Sequence, residues 1–328
     1  NAPLQSSRAR LRRDAPLLRC RPQFTCGVQL RWRRETCGPE TGLAGRYFQT
    51  QNALNGTKKE RSSMLTSLIL YCVLGALAGI LAGLLGIGGG AVVVPMLVFT
   101  FKWQNLSPDI GIHLAIGTSL ASIMFTAVSS AWAHHRRGGV NWQVFRYIAP
   151  GILMGTYCGS FVAARIPARY LQIFFVAFLL YVATNMLLNK KPNASRQLPG
   201  FAGMTGAGLF IGAISSLVGI GGGTLSVPFL VWHNVDMRRA VGTSAAIGFP
   251  IALAGTLGFI TNGWNAPGLP EYALGFVYLP ALVGIVAVSM FTAPIGAGIA
   301  HKLPIPRLKK FFACFLYVVA AKMLMDVL

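Results

Sequence analysis

Acidic residues are scarce in this chain. It has eight Asp and Glu among 328 residues, and only four of them follow Met64. These four lie at or near the ends of apolar segments: Asp109, Asp236, Glu271 and Asp326. Because a cation pump usually binds its ions with carboxylates buried in the membrane, this shortage argues against cation transport.

Charged residues of both signs are also few, at 11% against about 25% in soluble domains. The mean hydropathy is +0.57, and 54% of the residues are hydrophobic. Several apolar runs reach the roughly 20 residues that cross a bilayer as a helix. The sequence therefore predicts an all-α protein, a polytopic transmembrane helical bundle in a lipid bilayer.

The chain also lacks the residue patterns of enzymes and metal sites. The motifs GxSxG and HExxH are absent, and no nucleophile with a neighbouring base stands inside an apolar run. Its six cysteines match no zinc spacing. We therefore expect no enzyme, no cofactor and no metal, with an intramembrane enzyme as the less favoured alternative.

The net charge of +21 comes largely from the beginning of the chain. Residues 1–61 hold 13 of the 29 Lys and Arg, and the others lie mostly in short loops. No basic groove with interleaved aromatic residues is evident, so no nucleic acid is expected. Residues 1–63 lack Met and apolar periodicity, which predicts a non-native or disordered leader and a natural start at Met64. An organelle transit peptide is the alternative.

The apolar segments form two sets that repeat each other. We predict a transmembrane repeat at 64–188, a linker loop at 189–200 and a second transmembrane repeat at 201–328. A shift of 133 residues aligns 75–98 with 208–231, with 12 of 24 positions identical. "AIGTSLA" is echoed by "AVGTSAA", and "ARIPARYLQIFF" by "HKLPIPRLKKFF".

Each repeat carries a glycine-rich run, "GIGGG", that ends a few residues before a proline. As helices, the short runs 91–101 and 224–233 would reach only about 15–16 Å. If they stay inside the membrane, eight crossings remain in parallel repeats; if they cross, ten crossings form inverted repeats. We predict that each "GIGGG" breaks a helix and that Pro95 and Pro228 open the next one.

Free backbone N–H groups at a helix start can bind an anion. Close helix packing explains Gly75, Gly79 and Gly83 better, because small residues four apart are typical of helix interfaces. The hydroxyls of the two "GTS" sequences either bond back to their own helix or donate to an anion. The candidate substrate-binding residues are Gly86, Gly88, Gly89, Gly90, Pro95, Gly117, Thr118 and Ser119, with Gly219, Gly221, Gly222, Gly223, Pro228, Gly242, Thr243 and Ser244.

The motifs "GLLGIGGGAVVVPML" and "HLAIGTSL", their echoes and the "RIPAR" turn resemble the sulfite exporter TauE/SafE family of membrane transporters. The resemblance covers about residues 65–328. It implies a permease of the cell membrane, in bacteria the inner membrane, that moves small sulfur-containing anions such as sulfite or organosulfonates. It also implies that the two glycine breaks and "GTS" sequences face each other around one substrate path.

The leading hypothesis is a secondary transporter of such an anion, and a passive anion channel with the same lining is the alternative. The expected partners are a small anionic substrate and the bilayer, and a homo-oligomer is compatible with this composition.

Overall fold

The structure, a computed structural model, describes residues 67–81, 89–188, 197–300 and 305–327. All of them belong to one compact unit, Lys59–Leu328. The predicted leader with Met64 lies outside the described residues, as does most of the linker. The same holds for Gly83 and for two candidate site residues, Gly86 and Gly88.

The described residues are almost entirely helical, so the predicted all-α membrane bundle is confirmed. The helices are α1 (Ser67–Leu81), α2 (Gly90–Trp103), α3 (Pro108–His135), α4 (Trp142–Arg165), α5 (Ala168–Leu188), α6 (Phe201–Val218), α7 (Gly223–Trp232), α8 (Met237–Gly263), α9 (Leu279–Ala300) and α10 (Ile305–Met325). A short hairpin, β1 (Ala273–Leu274) and β2 (Val277–Tyr278), connects α8 to α9. Six of the helices are long and apolar enough to cross a membrane: α3, α4, α5, α6, α8 and α9.

The helices form two pairs, α1 with α2 and α6 with α7. In each pair, the second helix ends close to the point where the first one begins. Gln104, just after α2, donates hydrogen bonds of 2.9 Å to the hydroxyls of Ser67 and Tyr71 at the start of α1. In the second half, Leu198 before α6 and Asn234 after α7 line one surface depression. Each pair is therefore a hairpin, and three longer helices follow it in each half.

Small residues bring neighbouring helices into close contact. A Cβ on Gly151 or Gly155 of α4 would overlap the backbone carbonyls of α6. Likewise, Gly75 and Gly79 of α1, predicted to serve helix packing, lie against α9 at Ile285 and Ser289. Without a hydrophobic force between helices in lipid, such close backbone packing is what holds them together.

Helices α3 and α8 form the centre of the bundle. Their apolar windows are 89% and 78% buried, against 33–44% for the other four membrane-length helices. The two run antiparallel, because Leu120 of α3 contacts Gly255 of α8 while Ala127 contacts Gly248. A site between them is therefore flanked by the two most buried of the six membrane-length helices.

The predicted helix starts at the two prolines are wrong. Helix α2 begins at Gly90 and α7 at Gly223, so Pro95 and Pro228 are each the sixth residue of their helix. A proline there removes one backbone hydrogen bond. In α2, residues 91–94 are at most 4% exposed, and their burial offsets that loss.

Helix α9 begins at Leu279, directly after the β1–β2 hairpin. His113 of α3 lies in the protein interior. Its side chain is 5% exposed, and Nε2 lies 3.2 Å and 3.1 Å from the carbonyl oxygens of Ala163 and Ile166 at the end of α4.

The α4–α6 interface predicts a sharp difference between two glycines of α6. In Gly208→Val the new side chain would overlap the carbonyl of Ile148, whereas Gly206 has open space around it. Overpacking typically costs about 1–3 kcal/mol, so Gly208→Val should lower the melting temperature in detergent well below that of Gly206→Val. Equal melting temperatures for the two variants would show that this interface tolerates a larger separation.

Candidate functional site

The start of helix α7 lies in the interior of the protein. Helix α6 ends at Val218, Gly219 follows with φ +69°, and α7 begins at Gly223 without a side-chain cap. Gly219 is suited to this conformation because L side chains rarely adopt positive φ. The first N–H groups of a helix have no acceptor within it, so the start of α7 presents backbone donors and the positive end of the helix dipole.

The start of α2 packs against this same region. Gly89 has φ +71°, and a Cβ on Gly90 would lie 2.5 Å from the carbonyl oxygen of Gly219. Ser119 of α3 donates a 2.9 Å hydrogen bond to that carbonyl. The described parts of the two glycine-rich runs and one "GTS" sequence therefore meet.

A small cavity opens at the start of α7, between α3 and α8. We call it the α7 cavity, and it is lined by Ile123, Thr126, Ala127, Ser130, Gly221, Gly222, Gly223, Ser244, Ala245 and Gly248. It has about 20 Å³ of room for the centre of a water molecule, which is space for about one water. None of these lining residues is ionisable.

Ser244 is the distinctive polar group of the α7 cavity. Its hydroxyl is buried, with 1% of the residue exposed, and has no hydrogen-bond partner among the described residues. Leaving a buried polar group unpaired costs about 1–3 kcal/mol. The hydroxyl of Thr126, by contrast, lies within reach of the carbonyls of Ser122 and Ile123 on its own helix. Ser244 therefore has a proton available for a bound acceptor.

The two "GTS" threonines have protein partners. Thr118 accepts a 2.9 Å hydrogen bond from the backbone N–H of Tyr278, and Thr243 accepts one of 2.9 Å from that of Asn141. Both threonines are fully buried, and neither lines the α7 cavity.

The candidate residues therefore divide into two groups. The structure brings Gly221, Gly222, Gly223 and Ser244 together around the α7 cavity. The described candidates outside its lining are Gly89, Gly90, Pro95, Gly117, Thr118, Ser119, Gly219, Pro228, Gly242 and Thr243. Of these, Pro228 is exposed on α7.

The residues of α3 that line the α7 cavity were not identified in the sequence analysis. Thr126 and Ser130 lie seven and eleven residues after Ser119, a spacing that places all three on one face of a helix. This stripe of hydroxyl residues could have been found from its helical period. Among the described residues, no group of three His, Cys, Asp or Glu side chains is arranged to hold a metal ion.

Comparisons with known proteins agree with this architecture. A family model described as Sulfite exporter TauE/SafE matches residues 71–323. A "Probable membrane transporter protein" of Haemophilus influenzae is 41% identical over 263 residues, which cover 79% of this chain and 99% of that protein. No solved structure matches.

Two more distant relatives carry the same description. A "Probable membrane transporter protein" of Methanocaldococcus jannaschii is 28% identical over 78% of this chain and 95% of its own length. The "Probable membrane transporter protein YdhB" of Bacillus subtilis is 28% identical over 74% of this chain and 91% of its own length. With its multi-pass helical bundle, the chain belongs to the sulfite exporter TauE/SafE family of membrane transporters.

Proposed function

We propose that this protein is a secondary transporter of a small sulfur-containing anion, such as sulfite or an organosulfonate. The anion binds in the α7 cavity, and alternating access carries it across the cell membrane. The observation that carries the proposal is the convergence of two kinds of free donor. The backbone N–H groups at the start of α7 and the unpartnered hydroxyl of Ser244 border the same cavity.

These donors suit an anion that has lost its water. Moving an anion out of water costs free energy, so the protein must replace the hydration shell of the anion with fixed hydrogen bonds. The helix start adds a partial positive charge, which stabilises an anion by about 0.3–2 kcal/mol. Because the helix axis and backbone determine where these donors point, they need little reorganisation when the anion arrives.

The cavity lining also explains why no basic side chain is needed. A permanent cation inside the membrane would hold an anion tightly and would itself be costly to bury. Neutral donors bind more weakly, which favours release on the other side. The family description, with its sulfite exporters, supports sulfur-containing oxyanions as the substrate class.

Flux measurements test the substrate class and the mode of transport. We expect proteoliposomes containing the protein to take up sulfite, thiosulfate or sulfoacetate in preference to sulfate, and to accumulate it when a proton gradient is imposed. Protein-free liposomes are the control. With the membrane potential clamped at zero, accumulation above the external concentration requires a coupled carrier. Uptake that only reaches equal concentrations under every imposed ion gradient would contradict the proposed coupled transporter.

The cavity predicts a specific role for the Ser244 hydroxyl. A hydrogen bond to a charged group contributes about 1.5–3 kcal/mol, so Ser244→Ala should raise the KM for anion flux by about 10- to 100-fold. Ser289→Ala is the matched control, because Ser289 is also 1% exposed and unpartnered but does not line the cavity. An unchanged KM in Ser244→Ala would remove this hydroxyl from the site.

A further inference from the structure

Two hydrogen bonds of the same kind, each from a backbone N–H to a threonine hydroxyl at 2.9 Å, join the two halves of the chain. In each, the last residue before a long helix donates its backbone N–H to a buried threonine of the opposite half. Tyr278, before α9, donates to Thr118 of α3, and Asn141, before α4, donates to Thr243 of α8. The two threonines occupy matching positions in the two "GTS" sequences.

Glycine makes both contacts close. A Cβ on Gly117 would overlap the carbonyl oxygen of Phe276, and one on Gly242 would overlap that of Gly139. The backbone of each connecting segment therefore lies directly on the helix of the other half. This explains the glycine of each "GTS" sequence by close approach rather than by anion binding.

The two contacts lie at different depths in the bundle. Since Leu120 faces Gly255 and Ala127 faces Gly248, Thr118 lies near the level of residue 257 on α8. Thr243 is roughly 14 residues away from that level, or about 20 Å along the helix axis. The two contacts thus lie toward opposite faces of the membrane.

The α7 cavity lies between these two levels. Its lining on α3 extends from Ile123 to Ser130, and on α8 it begins at Ser244, next to Thr243. On the other side of the Asn141–Thr243 contact is a surface depression of about 520 Å³, which we call the vestibule. It is lined by Asn141, Leu198, Asn234, Val235, Asp236 and Arg239.

We propose that these two contacts are the gates of the transport path. The Asn141–Thr243 gate separates the α7 cavity from the vestibule, and the Tyr278–Thr118 gate separates it from the opposite face. In the structure the cavity has room for about one water, so a gate must open and the path must widen to admit an anion. Each gate contains one neutral hydrogen bond, which water can replace at small cost. This inference rests on the proposed transport function.

Side-specific labelling of a cavity residue tests the gates. The six cysteines of the full chain are replaced, and Ala127→Cys is introduced as a reporter that lines the α7 cavity. A membrane-impermeant thiol reagent is then added to right-side-out or inside-out vesicles. In the same background, Arg239→Cys identifies the vestibule face, because Arg239 is exposed there.

Removing each acceptor should open one gate. Thr243→Val should raise reporter labelling from the vestibule face relative to the other face, and Thr118→Val should shift the ratio the opposite way. The net strength of a hydrogen bond corresponds to a change of about 2- to 10-fold. Thr243→Ser and Thr118→Ser keep the acceptor and should retain the parent ratio, as should Thr156→Val, a fully buried threonine outside the gates.

A second pair of variants acts on the same contacts from the backbone side. Gly242→Ala and Gly117→Ala displace the connecting segments and should reproduce the two opposite shifts, including where a valine variant fails to fold. Unchanged ratios, or shifts toward the same face in both variants, would overturn the gate proposal. Sulfite flux with unchanged ratios would refute the gates alone, whereas opposite shifts without flux of any tested anion would refute the proposed substrate class alone.

Discussion

The structure depends on one constraint: backbone that is not helical inside a membrane must be enclosed by protein, because lipid offers it no hydrogen-bond partner. The segment from Gly219 to Gly222 is such a backbone. Helices α3 and α8 enclose it, and Ser119 of α3 satisfies the carbonyl of Gly219. The first backbone N–H groups of α7 and the hydroxyl of Ser244 are left without partners. They are the hydrogen-bond donors of the α7 cavity.

The outer helices serve this central pair. Glycines on α4 and α1 let α6 and α9 approach until backbone meets backbone, which holds the two helix hairpins against α4 and α9. The connections that precede α4 and α9 then reach across to the "GTS" threonines of the opposite half. Packing, the proposed gates and the proposed anion site are therefore joined through the same two helices, so a movement between the halves would alter all three.

The helical class and the approximate segments could be predicted from the sequence, because hydropathy over about 20 residues reports directly on the bilayer. Ser244 and Gly222 could be predicted as candidate site residues, because they belong to the short motifs "GTS" and "GIGGG". The partners of Thr118 and Thr243 could not be predicted, since Tyr278 and Asn141 are more than a hundred residues away along the chain. The position of Pro95 inside α2 was also not predicted, because the burial of the residues before it outweighs the local preference of proline for a helix start.

The central claim is that an oxyanion binds at the start of α7 beside Ser244. Selenite has the shape of sulfite, and selenium scatters anomalously, so crystals of the protein soaked in selenite test the claim directly. The account predicts an anomalous peak in the α7 cavity, between Gly222, Gly223 and Ser244, that is weaker in Ser244→Ala. A selenium peak beside Thr118 or Thr243 instead, with none in the cavity, would contradict it.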